Sequence, residues 1–168
     1  MTPRFLVFLF LPIVLVAGCA KTEPADEKLA RLFVAKRTVF DELQRMISAD
    51  KKIGRVGDDV VGDIWFKLDG SSGNSAADSV GLGRDRYGDY LKLLRSIGAY
   101  RVSTSNGIDV NVHMYRHGTL VEGRTVDVVF ENTPPDPIVD DTIAATVSDN
   151  TFAFRLLDDS WYIRREHD

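Results

Sequence analysis

The apolar residues of this chain change their spacing once, at Gly98, and that change restricts what the chain can fold into. From Pro24 to about Ala49, Leu29, Leu32, Phe33, Ala35, Val39, Phe40, Leu43, Met46 and Ile47 recur at helical intervals. Pro24 suits a first turn, and Asp26 and Glu27 stand where the helix dipole favours acid. A second helix is predicted from about Arg84 to Ile97, with Tyr87, Tyr90, Leu91, Leu94 and Ile97 on one face and Gly98 as a left-handed cap. Beyond Gly98 the period is two. Tyr100 and Val102 lead into Ser103-Thr104-Ser105-Asn106-Gly107, where Asn-Gly between alternating runs signals a hairpin. Ile108, Val110, Val112 and Met114 then point one way, and Val126, Val128 and Phe130 repeat the pattern after the Glu122-Gly123 turn. Pro134, Pro135 and Pro137 mark a stiff loop. Phe152, Phe154 and Leu156 make another strand, Asp158-Asp159-Ser160 a turn, and Trp161, Tyr162 and Ile163 the last strand. Helices grouped before antiparallel strands predict an α+β fold: two helices packed on one face of a four- to five-stranded antiparallel sheet.

Between the two helical stretches the reading is weakest. Val56, Val60, Val61, Ile64, Trp65, Phe66 and Leu68 can bury, but Gly54, Gly57, Gly62 and Gly70 punctuate them. Asp69 to Ser75 is a loop by composition. Gly81-Leu82-Gly83 lacks both a leading strand and a third glycine, since Arg86 stands at that place, so it too reads as a loop. The layout is similar to helix-on-curved-sheet folds such as the NTF2-like cone, a likeness of arrangement with no shared motif.

The first residues call for separate treatment. Arg4 precedes an apolar run from Phe5 to Val16, then Ala17, Gly18 and Cys19, the pattern of a secretory signal. Twelve residues of helix span about 18 Å, short of the roughly 30 Å needed to cross a bilayer. Val16-Ala17-Gly18-Cys19 resembles the lipobox of bacterial lipoproteins. The resemblance covers about twenty residues and implies cleavage before Cys19, a diacylglycerol thioether on its sulfur and acylation of the new N-terminus. Two or three chains give the stable anchoring that a single one does not. Residues 1–18 are then a cleaved signal, 19–23 a lipidated tether and 24–168 a single α+β domain. Each extended tether residue reaches only ~3.5 Å, which keeps the domain close to the bilayer. By the same resemblance, the lack of Asp directly after Cys19 favours the outer membrane, with the domain facing the periplasm.

Charge and composition narrow the function. The formal net charge is −4, and loss of Arg4 with the leader makes the mature chain more acidic still. That balance argues against a nucleic-acid binder, which needs a basic stripe. With 44% hydrophobic residues the chain is no disordered tail. One Cys excludes an internal disulfide framework and any Cys-built zinc or iron–sulfur site.

No catalytic or cofactor motif is legible. His113 and His117 share a strand face by even spacing, yet lie about 13 Å apart along it, too far for one metal unless the chain turns at Arg116-His117-Gly118. Asp58, Asp59 and Asp63 lack the ladder of a calcium loop and read as a solvated turn. There is no Gly-x-Ser-x-Gly elbow and no P-loop, so neither a cofactor nor a metal is expected. The polar side of the sheet is the informative surface. Alternation projects Asp109, Asn111, His113, Tyr115, Asp127, Glu131, Arg155, Tyr162 and Arg164 from it together, a candidate binding face with Tyr and Arg as anchors.

Three functions follow as expectations. The first is a non-catalytic, lipid-anchored periplasmic protein that binds another protein, one form being an immunity-type protein that neutralises a basic toxin. The second is a small-molecule binding or catalytic pocket in a curved sheet, built on Trp65, Tyr115 and His113. The third is an envelope structural protein without a dedicated ligand.

Overall fold

The computed structural model describes residues 22–66, 72–105, 107–118, 123–148 and 151–168; the lipobox, Asn106 and Glu122 lie outside them. Helix α1 runs Asp26–Ala49. Strand β1 is Arg55–Gly57, helix α2 Gly73–Ser79 and helix α3 Arg84–Ile97. Strands β2 (Arg101–Thr104), β3 (Val110–Gly118) and β4 (Gly123–Phe130) follow. A single-turn helix α4, Thr142–Ala145, precedes β5 (Thr151–Asp158) and β6 (Trp161–His167). The fold is α+β, and its sheet holds six strands in the order β1-β2-β3-β4-β6-β5, every neighbouring pair antiparallel.

This is a larger sheet than the four or five strands the sequence predicts. β1 is only three residues long, too short to show an alternation among the glycines around it. Part of the segment read as loop is α2, because Ser72 caps it: its hydroxyl accepts from the Ser75 amide at 3.2 Å, while Ala76 and Ala77 bury. Gly98 sits at φ 71°, the predicted left-handed cap of α3.

One face of the sheet meets α1 and α3. Leu29, Phe33, Phe40, Leu43, Met46 and Ile47 of α1 and Tyr90, Leu94 and Ile97 of α3 pack with Val56, Val102, Val112, Val126, Val128, Trp161 and Ile163. Trp161 is the hub of this core. Its ring lies 5.6 Å from Phe33, 5.8 Å from Phe40 and 5.4 Å from Phe130, in tilted and edge-on contacts. Among the described residues, the opposite face carries a small apolar cluster of Val129, Phe154 and Tyr162 and leaves Phe152 and Leu156 half exposed. Outside β5, Ile138 forms a parallel bridge to Phe154.

A bulge in β3 and the register of β5 decide which side chains reach that open face. A bulge in β3 separates His113, opposite Asp127, from Tyr115, opposite Val126. Met114 is the extra residue, and both it and Tyr115 are buried in the helix-side core. In β5, Arg155 lies opposite Ile163, so it points towards the helices and Phe152, Phe154 and Leu156 point away.

Candidate functional site

The candidate site is the open face, where the register of β2, β3, β4 and β6 sets the neighbours. Asn111, His113, Asp127, Tyr162 and Arg164 share it, with Asp109 just before β3 and Glu131 just after β4. Two predicted members do not join them. Tyr115 is 6% exposed on the helix side, because the bulge spends one residue and shifts the alternation. Arg155 is drawn to the helix side by acid at the start of α1, reaching Glu27 at 2.8 Å and Asp26 at 3.9 Å. Tyr162 is on the face but buried against Val129 and Phe154. The bulge also separates the histidines: His117 follows Tyr115 to the other side and stacks on it at 6.5 Å. The bulge therefore puts Tyr115 on the opposite side of the sheet from His113.

Sequence reasoning missed one arrangement. His113 Nδ1 lies 3.0 Å from Asp127 Oδ1 on β4, and its Nε2 lies 2.8 Å from Ser103 Oγ on β2. The three side chains form a chain across three strands. A carboxylate oxygen accepts, so Nδ1–H is the donor between them. With Nδ1–H directed at Asp127, Nε2 is left to accept from the Ser103 hydroxyl. The side chain of Asp127 is 3% exposed and that of His113 19%, so the chain runs from interior to surface. Both His113 and Asp127 are in the expected face, but Ser103 reads as the start of a turn. Ser103 alternates with Val102, and its place on the polar face follows from its pairing opposite Asn111.

Cations surround the exposed end. Arg101 lies directly opposite His113, and Arg55 directly opposite Ser103. Arg101 donates to Asp59 at 2.7 Å, and its guanidinium sits 4.6 Å from the Trp65 ring and 5.4 Å from that of Tyr100. Its Nε is buried and, among the described residues, unpartnered. Tyr100 packs on His113 at 5.8 Å; burial first, and then the nearby Asp127 charge, push its hydroxyl up to about 12. Lys52, Arg55, Arg101, Ser103, Asn111 and His113 line an open cavity of about 390 Å³. The aspartates read as a solvated turn thus serve these arginines, Asp59 holding Arg101 and Asp63 lying 3.7 Å from Arg55.

The other half of the face is apolar. Phe152 and Leu156 are each 51% exposed, and Phe152 meets Phe154 edge-on at 6.0 Å. At its margin, burial first and then Asp109 raise the Glu131 carboxyl above its ordinary value, with Arg164 opposing.

Among the described residues, no group of three or more His, Cys, Asp or Glu side chains is placed to hold a metal, and no helix is long and apolar enough to cross a membrane. No protein-family model, curated protein or solved structure matches the chain.

Proposed function

We propose that the protein is a lipid-anchored component of a bacterial cell envelope, held at the outer membrane through Cys19 and facing the periplasm, where it binds a basic partner protein through the apolar half of its open sheet face. The observation that carries this reading is the exposure of Phe152 and Leu156 beside Phe154, Tyr162 and Val129, with the acidic pair Asp109 and Glu131 at the margin. An apolar strip on one side of a sheet whose other side is packed supports a contact surface. The raised Glu131 argues for a cation in the partner, which would relieve the repulsion from Asp109. The net charge of −4 favours the same sign of partner over long range.

The tether fits this placement. Glu23 and Pro24 are fastened to the last strand: Arg165 Nη1 donates to the Glu23 carboxylate and Arg165 Nη2 to the Pro24 carbonyl at 2.9 Å. Glu23 is four residue steps from Cys19, a reach of at most ~14 Å. The Arg165 end of the sheet then lies near the lipid, and the strip starts there with Phe152 opposite Glu166 and runs away from it to Leu156 opposite Tyr162.

Crosslinking intact cells and purifying the chain from their membranes tests the proposal. A discrete complex is expected with a protein that meets the strip with an apolar ridge flanked by Lys or Arg, and Phe152→Asp dissolves it. A complex indifferent to Phe152→Asp, or no complex at all, contradicts the reading.

A further inference from the structure

We propose that Ser103, His113 and Asp127 form the catalytic relay of a hydrolytic site for small carboxylic esters that carry a negative charge. The proposal goes beyond the binding function above and uses the other half of the open face.

Three observations carry it. First, the order of the groups is that of an activated hydroxyl. A buried carboxylate fixes Nδ1–H of an imidazole, whose Nε2 lies 2.8 Å from a hydroxyl that opens into a cavity. A cross-strand bond made only to satisfy Asp127 would end at His113; here it continues to Ser103 at the cavity wall. Second, the cavity, at about 390 Å³, falls within the roughly 300–1,000 Å³ typical of small-molecule sites. Third, that cavity is cationic in an acidic chain. Lys52, Arg55 and Arg101 line it, against Asp63 alone, whose side chain is 98% exposed. Arg101 is held rigid by Asp59, Trp65 and Tyr100, and its Nε has no partner among the described residues. Arg101, fixed in this way, is suited to charge that develops on the carbonyl oxygen, and Arg55, opposite Ser103, to a substrate carboxylate.

The reaction balances with water alone. Ser103 Oγ attacks the ester carbonyl carbon as its proton passes to His113 Nε2. The C–O bond to the leaving alcohol breaks, and the alkoxide takes that proton, leaving an acyl group on Ser103. Water then attacks the acyl carbon, gives a proton to Nε2, and displaces Ser103 Oγ, which recovers it. One ester and one water become one carboxylic acid and one alcohol.

A fluorophosphonate probe, which loses fluoride to an activated serine hydroxyl, is the direct test on the full chain, with peptide mapping by mass spectrometry. Labelling at Ser103 is expected, lost in Ser103→Ala and His113→Gln and kept in Ser96→Ala. Hydrolysis of p-nitrophenyl hemisuccinate should fall about a hundredfold or more in Ser103→Ala, given what a positioned acid–base group contributes. Because Asp127 is buried, Asp127→Asn is read only alongside its thermal melt; Ser103→Ala, a small change at a half-buried hydroxyl, keeps the test independent of folding. The anionic ester should be preferred over p-nitrophenyl butyrate, and Arg55→Gln should erase that preference. Absence of label at Ser103, or hydrolysis by a folded Ser103→Ala equal to that of the unaltered chain, overturns the relay. Equal rates on the two esters overturn the substrate class.

Discussion

Asp26 at the start of the first helix and Arg165 in the last strand meet at 2.9 Å with both side chains 2% exposed. Thr142 completes the contact, its amide donating to Asp26 at 3.0 Å and its hydroxyl at 2.7 Å, while Arg165 Nε donates to the same hydroxyl at 3.1 Å. One buried ion pair thus ties α1, α4 and β6 together. Removing one member of such a pair leaves the other charge buried and uncompensated, which costs about 3–5 kcal/mol. Arg165→Met is therefore expected to lower stability by about that amount in urea unfolding monitored by circular dichroism.

The same pair contributes to the acid sensitivity of the fold. Burial opposes the charge on Asp26, but the hydrogen bonds from Arg165 and Thr142 outweigh it and hold the carboxyl below its ordinary 3.8. A lowered carboxylate stabilises the folded state fully above its unfolded value, and the contribution is lost as pH falls through the folded one. Unfolding free energy should thus decline below about pH 4. Asp26→Asn should flatten that decline while lowering stability at neutral pH.

Phe40, fully buried between Phe33 and Trp161, is the matching test of the apolar core. Truncation there removes two aromatic contacts and leaves a cavity. Phe40→Ala is expected to cost about 3–5 kcal/mol, read as a shift of the urea midpoint with an unchanged slope.

Much of this architecture is legible in the chain, and the parts that are not share a cause. The period change at Gly98, the faces of α1 and α3 and the capping role of Gly98 are local properties, and each is written in spacing or in one residue's freedom at positive φ. Register is not local. The extra residue at Met114 moves Tyr115 and His117 to the other face, and nothing within β3 announces it. Arg155 looks outward-facing until Glu27 and Asp26 are seen to wait for it 128 and 129 residues earlier in the chain. Ser103 joins His113 only because β2 pairs with β3 and β3 with β4, so the relay belongs to three strands and to no motif.

The lipid anchor has its own measurement. Labelled palmitate should be incorporated into the full chain and fractionate with membranes, and Cys19→Ser should abolish the label and release the domain to the soluble fraction. Membrane retention without label would overturn the lipobox reading.

Glu131 gives the partner contact a pH signature. Its carboxyl stands above the ordinary 4.5 in the free protein, and a partner cation would lower it on binding. Binding then releases a proton, so affinity should rise as pH rises through the range just above that value. In the free protein the sign is opposite, folding stability falling across the same interval. Glu131→Gln should flatten the affinity profile, as measured by calorimetry with the crosslinked partner in purified form.

The central claim is that the open face, and not the helical side, meets another protein. A photoreactive phenylalanine analogue at position 152 on the open face, compared with one at Val34, which is 78% exposed on α1, tests it in intact cells. The account predicts one discrete adduct from position 152, lost in Leu156→Asp, and none from position 34. The same adducts from both positions, or none from position 152, would contradict it.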